Sequence, residues 1–304
     1  MASFFDEIAR NRLKSIILMS LFSLFFFAII YLVVWLLGGG MFGLIIGGII
    51  IAAYALFSYF YGASTVLKLS RAKPASQKDY PMLYDIIGGL AAAGQIKMPK
   101  VYVIDTKDPN AFATGRNKNN ASVAVTTGLL SMMNRQELEG VLSHEVSHIY
   151  NNDIQFMMLA IVFGGVIGII AAFFRYSFFF GGFGNGRNGN GGIVLIVELA
   201  LAIIAPIIAM LLRLAISRRR EYMADANGAR MTRDPASLAS ALNKIKDFTQ
   251  NPQKVAAAKQ SGNYASPVTT YMYFSNPVTM QSITNLFSTH PPIDERIKRL
   301  QNMH

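Results

Sequence analysis

No charged side chain occurs between Lys14 and Lys68. This constrains the fold more than any other feature of the chain. Inside the stretch, Ile16 to Leu37 is a strongly apolar run, and a second run extends from about Met41 to Tyr61. A bilayer core takes about 20 apolar residues per helix. The sequence therefore predicts two membrane spans joined by the short uncharged hairpin "LLGGGMFG". The first run is too long for a cleaved signal peptide and lacks a small-residue cleavage pattern.

Two more apolar runs follow, Ile154 to Phe174 and Ile193 to Leu212, separated by the flexible Gly/Asn-rich loop "RYSFFFGGFGNGRNGNGG". Glu198 lies in the fourth run. An intramembrane carboxylate is a functional candidate by default, but this one is near the start of its run and within reach of an interface, so it is ranked as structural. Composition agrees with a membrane protein: 52% of the residues are hydrophobic and 15% charged, against a charged share of roughly 25% in soluble chains. The net charge of +11 could point to nucleic acid. The basic residues instead flank the apolar runs: Arg10, Arg12 and Lys14 before the first, Lys68, Arg71, Lys73 and Lys78 after the second, Arg213 and Arg218 to Arg220 after the fourth. The positive-inside rule places these groups and both termini in the cytoplasm, with no nucleic-acid partner. The absence of cysteine excludes disulfides and thiolate chemistry and fits a reducing compartment.

The remaining segments read as a mainly helical domain with a small sheet. "KDYPMLYDIIGGLAAAGQI" is a helix with Asp79 or Tyr80 near its cap and Pro81 in its first turn. "KVYVID", "NAFATG" and "ASVAVTTGLL" read as strands, the last two joined through "RNKNN". "SRRREYMADANGARM", "PASLASALNKIKDF" and "PPIDERIKRLQNM" read as helices, and the segment from Asn251 to Pro277 as mixed and mobile. Four parts follow: 1–67, an N-terminal transmembrane hairpin; 68–153, the first part of a catalytic domain; 154–214, a second hairpin with an external loop; and 215–304, the second part of the catalytic domain.

Chemistry concentrates in "VLSHEVSHIYNND". Asn134 and Glu137 form a capping signature, so Arg135 to Asn151 is predicted to be helical. His144 and His148 then lie one turn apart on one face and can share a zinc ion, with Glu145 beside them to polarise a water. The bland alternative is a chance match on an ordinary helix. A catalytic zinc needs a third protein ligand. Position 154 is isoleucine, which excludes the extended three-histidine motif. "EYMAD" offers Glu221 as that ligand, and Asp225, one turn on, as a hydrogen-bond acceptor for a ligand imidazole. Ala224, Ala226, Gly228 and Ala229 would allow close packing on the first helix. The alternative is a surface helix with a solvated carboxylate pair. Topology favours the site, because a membrane hairpin between His148 and Glu221 returns the chain to the side it left.

"SHEVSHIYNND", "SRRREYMAD", "NAFATG" and "STHPPIDERI" together resemble the HtpX-type membrane zinc peptidases, relatives of the CAAX prenyl peptidases, over essentially the whole chain. The resemblance implies an α+β zincin-like (gluzincin) catalytic domain, one Zn2+ per chain held by His144, His148 and Glu221, and Glu145 as catalytic base. It also implies proteolytic quality control of membrane proteins under stress, at the cytoplasmic face of a bacterial inner membrane. Polypeptide substrates and the lipid bilayer are the expected partners; oligomeric state is left open.

An extended substrate is expected to pair with the strand from Asn110 to Gly115, so Asn110, Ala111, Phe112 and Ala113 are candidate substrate-binding residues; otherwise "NAFATG" is an ordinary strand. His290 precedes Pro291 and Pro292, and a rigid turn there could aim its imidazole at the site as an oxyanion stabiliser. The alternative is that it only caps or packs the last helix. Rival functions are a prenyl-protein peptidase with narrow specificity, a four-helix transporter and a metal-dependent scaffold.

Overall fold

The computed structural model describes residue 31 and residues 40–155, 218–260 and 291–303. By its internal contacts the chain divides into two units, Met1–Phe57 with Ile170–Ile203, and Ser58–Ile169 with Ile204–His304. Helix α1, Gly40–Leu69, carries the second apolar run, and its leading part belongs to the first unit. It bears large exposed apolar side chains: Met41 and Phe42 are each 75% exposed and Ile49 is 62% exposed. Counting only residues whose side chains are described, no helix is long and apolar enough to cross a membrane. The first predicted span, apart from Tyr31, and the fourth lie outside the described residues. The third enters them only at Ile154 and Gln155, and Ile154 is fully buried in the core of the second unit.

In the second unit the last turns of α1 point inward. Val66 and Leu67 pack with Ile104, Phe112 and Ala124 on one face of a four-stranded sheet. The strands are β1 (Lys73–Pro74), β2 (Lys100–Ile104), β3 (Ala111–Gly115) and β4 (Ala121–Thr126), in the order β1-β2-β4-β3. β2 and β4 are parallel; β1 on β2 and β3 on β4 are antiparallel. Side chains alternate along a strand, so Val101, Val103, Val123 and Val125 reach the main core on the opposite face. β3 is an edge strand, yet all five of its residues are buried.

β4 ends earlier than the sequence suggests. "TTGLL" was expected to continue the strand, but Thr126 Oγ1 accepts a hydrogen bond from Leu129 N–H at 3.2 Å and caps a short helix, α3 (Thr127–Met132). Helix α2 (Pro81–Ala93) starts with proline in its first turn, as expected, and Tyr80 stands at its cap without a side-chain bond. Helix α4 is Arg135–Tyr150. Its capping box is complete: Glu137 N–H donates to Asn134 Oδ1 and Asn134 N–H to Glu137 Oε2, each at 2.9 Å. Helices α5 (Arg218–Thr232), α6 (Pro235–Gln250), α7 (Pro252–Gln260) and α8 (Ile293–Gln301) complete the described elements. α7 lies at the start of the segment read from sequence as mixed, and residues 261–277 of that segment lie outside the described residues. Asn251 Oδ1 accepts from Gln253 N–H and Lys254 N–H at 3.1 and 3.2 Å, which starts a helix after Pro252.

α4 is the central helix, buried from Glu137 to Ile149 except at Glu139 and packed against α2, α5, α6 and β3. Two glycines permit that density. A Cβ on Gly140 would lie 2.8 Å from Leu238 N in α6, and one on Gly228 would lie 2.8 Å from Ser143 Oγ. The small residues foreseen on α5 therefore do meet α4 at Gly228, with Ala224 and Ala229 buried beside it, whereas Ala226 is exposed. At the start of α4, Lys244 Nζ and Ser240 Oγ donate to the two Glu137 carboxylate oxygens at 2.6 and 2.8 Å, which ties α6 to the helix. Burial raises the proton affinity of Glu137, but these hydrogen bonds outweigh it and hold the carboxyl below the usual range.

Candidate metal centre

α4 places His144 and His148 one turn apart, and their rings meet edge to face with Nε2 atoms 3.1 Å apart. Gly228 lets α5 approach closely enough for Glu221 to face them. Glu221 Oε2 lies 3.6 Å from His144 Nε2 and Glu221 Oε1 lies 3.6 Å from His148 Nε2. One donor atom from each of the three buried residues falls within 4.8 Å of the others. The predicted ligand set is thus assembled from two helices separated by more than sixty residues of sequence.

Each ring is held from its other nitrogen. His144 Nδ1 lies 2.8 Å from Asp225 Oδ1, and His148 Nδ1 lies 3.0 Å from Asp153 Oδ2. An ionised carboxylate only accepts, so each Nδ1 carries the proton and each Nε2 offers its lone pair to the common point. Asp225 is itself clamped: Arg296 Nε and Nη2 donate to its two oxygens at 2.9 and 2.6 Å. Arg296 is fully buried, on α8. Arg220 Nη1 approaches Asp153 Oδ1 at 3.9 Å.

The electrostatics favour a cation at the centre. Burial raises the proton affinity of Asp225, but Arg296 and His144 overcome it and hold the carboxyl well below its usual range. For His148, burial lowers the pKa, and the Asp153 hydrogen bond with the Glu221, Asp153 and Glu145 charges more than reverses it, to about 9. With both imidazoles neutral, as metal ligands must be, the buried carboxylates of Glu145, Asp153, Glu221 and Asp225 outnumber the guanidiniums of Arg220 and Arg296 by two. Uncompensated buried charge is costly, and one divalent ion balances it. Two imidazoles and a carboxylate are the donor set of catalytic zinc sites, so the residues present fit that metal.

Glu145 sits beside the ligands, 4% exposed. Ala113 N–H donates to its Oε2 at 2.9 Å. That amide therefore faces away from β4, on the free edge of β3, since outward and inward groups alternate along an antiparallel strand. Asn110 stands just before β3 and is buried. Its Oδ1 accepts from Ala111 N–H at 2.9 Å, and its backbone N–H and carbonyl are both engaged by Thr126. Phe112 points into the α1–sheet cluster. His290 lies outside the described residues.

The sequence assigns Asp153 and Arg296 no role, and Arg220 only that of a basic residue flanking the fourth apolar run. Asp153 ends the motif that carries the histidines, but it reaches back only because Asn152 adopts a left-handed conformation, φ 62°. Arg296 sits inside "HPPIDERI", where an arginine among other charged residues of a helix looks solvated.

Peptidase family M48 matches residues 77–304. A protein described as "Protease HtpX homolog" from Caldanaerobacter subterraneus subsp. tengcongensis is 43% identical over 299 residues, covering 97% of this chain and 96% of that one. The "Protease HtpX homolog" of Persephonella marina is 44% identical over 265 residues, covering 87% of this chain and 89% of its own. The crystal structure of S. mikatae Ste24p superposes with a TM-score of 0.52 at 18% identity, covering 96% of this chain and 67% of that chain. This last likeness establishes a shared fold, mainly helical with a small mixed sheet. The chain belongs to peptidase family M48, on its HtpX branch, and is a metalloprotease.

Proposed function

We propose that the chain is a membrane-integrated zinc metalloendopeptidase that cleaves damaged or misfolded membrane proteins at the cytoplasmic face. The observation that carries the catalytic part is the convergence of His144, His148 and Glu221 within 4.8 Å, with the Glu145 carboxylate alongside and hydrogen-bonded to an edge strand. The membrane part rests on the charge-free N-terminal stretch and on the exposed apolar side chains of α1, together with the basic residues that flank each apolar run.

His144, His148 and Glu221 would hold the zinc. When bound, the ion supplies Lewis acidity that makes a water nucleophilic near neutral pH and polarises the scissile carbonyl. The chain's own residues do the rest. Asp225 fixes the His144 imidazole with Nε2 inward. Glu145 accepts a proton from the attacking water and returns it to the leaving amine nitrogen. Ala113 N–H keeps the Glu145 carboxylate at the substrate edge. β3 offers backbone groups along that edge to an extended polypeptide, which reads no side chains and so suits a varied set of damaged proteins. His290 is proposed as a further donor to the developing oxyanion.

The test is cleavage of casein and of a membrane-protein substrate by the purified full-length chain beside Glu145→Gln. The variant is expected to keep its zinc and lose activity by on the order of 10²–10⁴-fold. Unchanged cleavage by Glu145→Gln would refute its role as the base. Cleavage of casein but of no membrane protein would refute the substrate class.

A further inference from the structure

His148 closes helix α4 on its way to the third apolar run, and Asp153 is the residue that turns back to it. Asn151 caps the helix, Asn152 takes φ 62°, and the chain folds over its own last turn. That fold-back brings Asp153 Oδ2 to 3.0 Å from His148 Nδ1. Asp153 is 5% exposed, and the other side of its carboxylate faces Arg220 Nη1 at 3.9 Å. Two further bonds brace the same corner. Gln155 Nε2 donates to Arg116 O at 3.1 Å, and Asn227 Nδ2 donates to Asn151 Oδ1 at 3.1 Å.

We propose that Asp153 is a positioning residue for the metal: through His148 Nδ1 it fixes the tautomer and ring orientation of that ligand. Arg220 in turn holds Asp153. The proposal rests on the zinc reading above. A neutral imidazole presents one protonated and one bare nitrogen, and a bound metal needs the bare one inward. A buried carboxylate at Nδ1 selects that form and stops the ring from rotating about its χ2. Asp225 does this for His144 from α5. Asp153 does it for His148 from the exit of α4, at 3.0 Å from Nδ1. Asp153 lies just before the third apolar run of the sequence and Arg220 just after the fourth, so the restraint on one ligand draws on residues from both ends of the segment that carries those runs.

The experiment uses the full-length chain in detergent. Zinc affinity is measured by chelator competition, the cobalt-substituted protein by its visible spectrum, and the metal-free protein by thermal unfolding. Asp153→Ala is expected to weaken zinc on the order of 10–100-fold and to alter the cobalt spectrum. Asp153→Asn, which keeps an acceptor oxygen, is expected to recover part of that affinity, and Arg220→Gln to lose less than either. If Asp153→Ala does not fold, the near-isosteric Asp153→Asn decides by the same two readouts. Zinc affinity within about twofold of wild type, with an unchanged cobalt spectrum, would overturn the proposal even if the metal-free protein melts earlier, since that pattern is purely structural. A wild-type chain that binds no zinc overturns the zinc reading itself and this proposal with it.

Discussion

Helices α1 and α4 are built on opposite plans. α4 buries polar groups: Ser143, His144, Glu145, Ser147 and His148 are all at most 6% exposed. α1 exposes apolar ones: Phe42, Ile45, Ile49, Leu56 and Phe57 are all more than half exposed. The contrast shows what satisfies each helix. Every buried polar group on α4 has to find a partner inside the protein: Asp225 and Asp153 take the two histidines, Ala113 N–H of β3 donates to Glu145, and the two serines donate to carbonyls of α4 itself. The exposed apolar groups of α1 need only a medium that does not cost them contact with water, which the proposed bilayer supplies.

The largest effect expected from this comparison is at the core. Leu142 is fully buried in α4, and Leu142→Ala should destabilise the chain by about 2–5 kcal/mol in thermal or denaturant unfolding. A loss under about 1 kcal/mol would mean that α4 is not the packed centre. Next comes the polar side of the same helix. Glu137→Gln removes a buried charge that accepts three hydrogen bonds and should cost about 1–3 kcal/mol at neutral pH. The folded carboxyl is held below its ordinary value, so its stabilising contribution is present above the unfolded pKa of about 4.3. It is lost as pH falls through the folded pKa. The gap between wild type and Glu137→Gln should therefore close in acid and stay flat above about pH 6; a gap that widens in acid would reverse the assignment. The smallest effect is on α1. Ile49→Ala in detergent should shift stability by no more than about 0.5 kcal/mol, as for an exposed site. A cost like that of Leu142→Ala would show that Ile49 lies in a protein core.

The same contrast explains what could be read from sequence. α4 was legible because its signals are local: the Asn134–Glu137 box marks its start and one-turn spacing joins His144 to His148. Glu221 and Asp225 were legible because they repeat that spacing on a second helix. Asp153 needed a left-handed residue at Asn152, and asparagine at such a turn is permitted rather than required. Arg296 needed knowledge that α8 docks with its arginine inward, which depends on contacts with α5 more than sixty residues away. α3 was hidden because Thr126 is equally at home ending a strand and capping a helix. The two-residue β1 and the nine-residue α7 are too short for periodicity to declare them.

The central claim is that one metal ion balances the buried charge between α4 and α5. Elemental analysis of the full-length chain tests it most directly, comparing wild type with Glu221→Ala. The account predicts one zinc per chain in the wild type, almost none in Glu221→Ala, and a variant that still folds. One zinc per chain in both proteins would contradict it, because the ion would then be held without the carboxylate that α5 brings to His144 and His148.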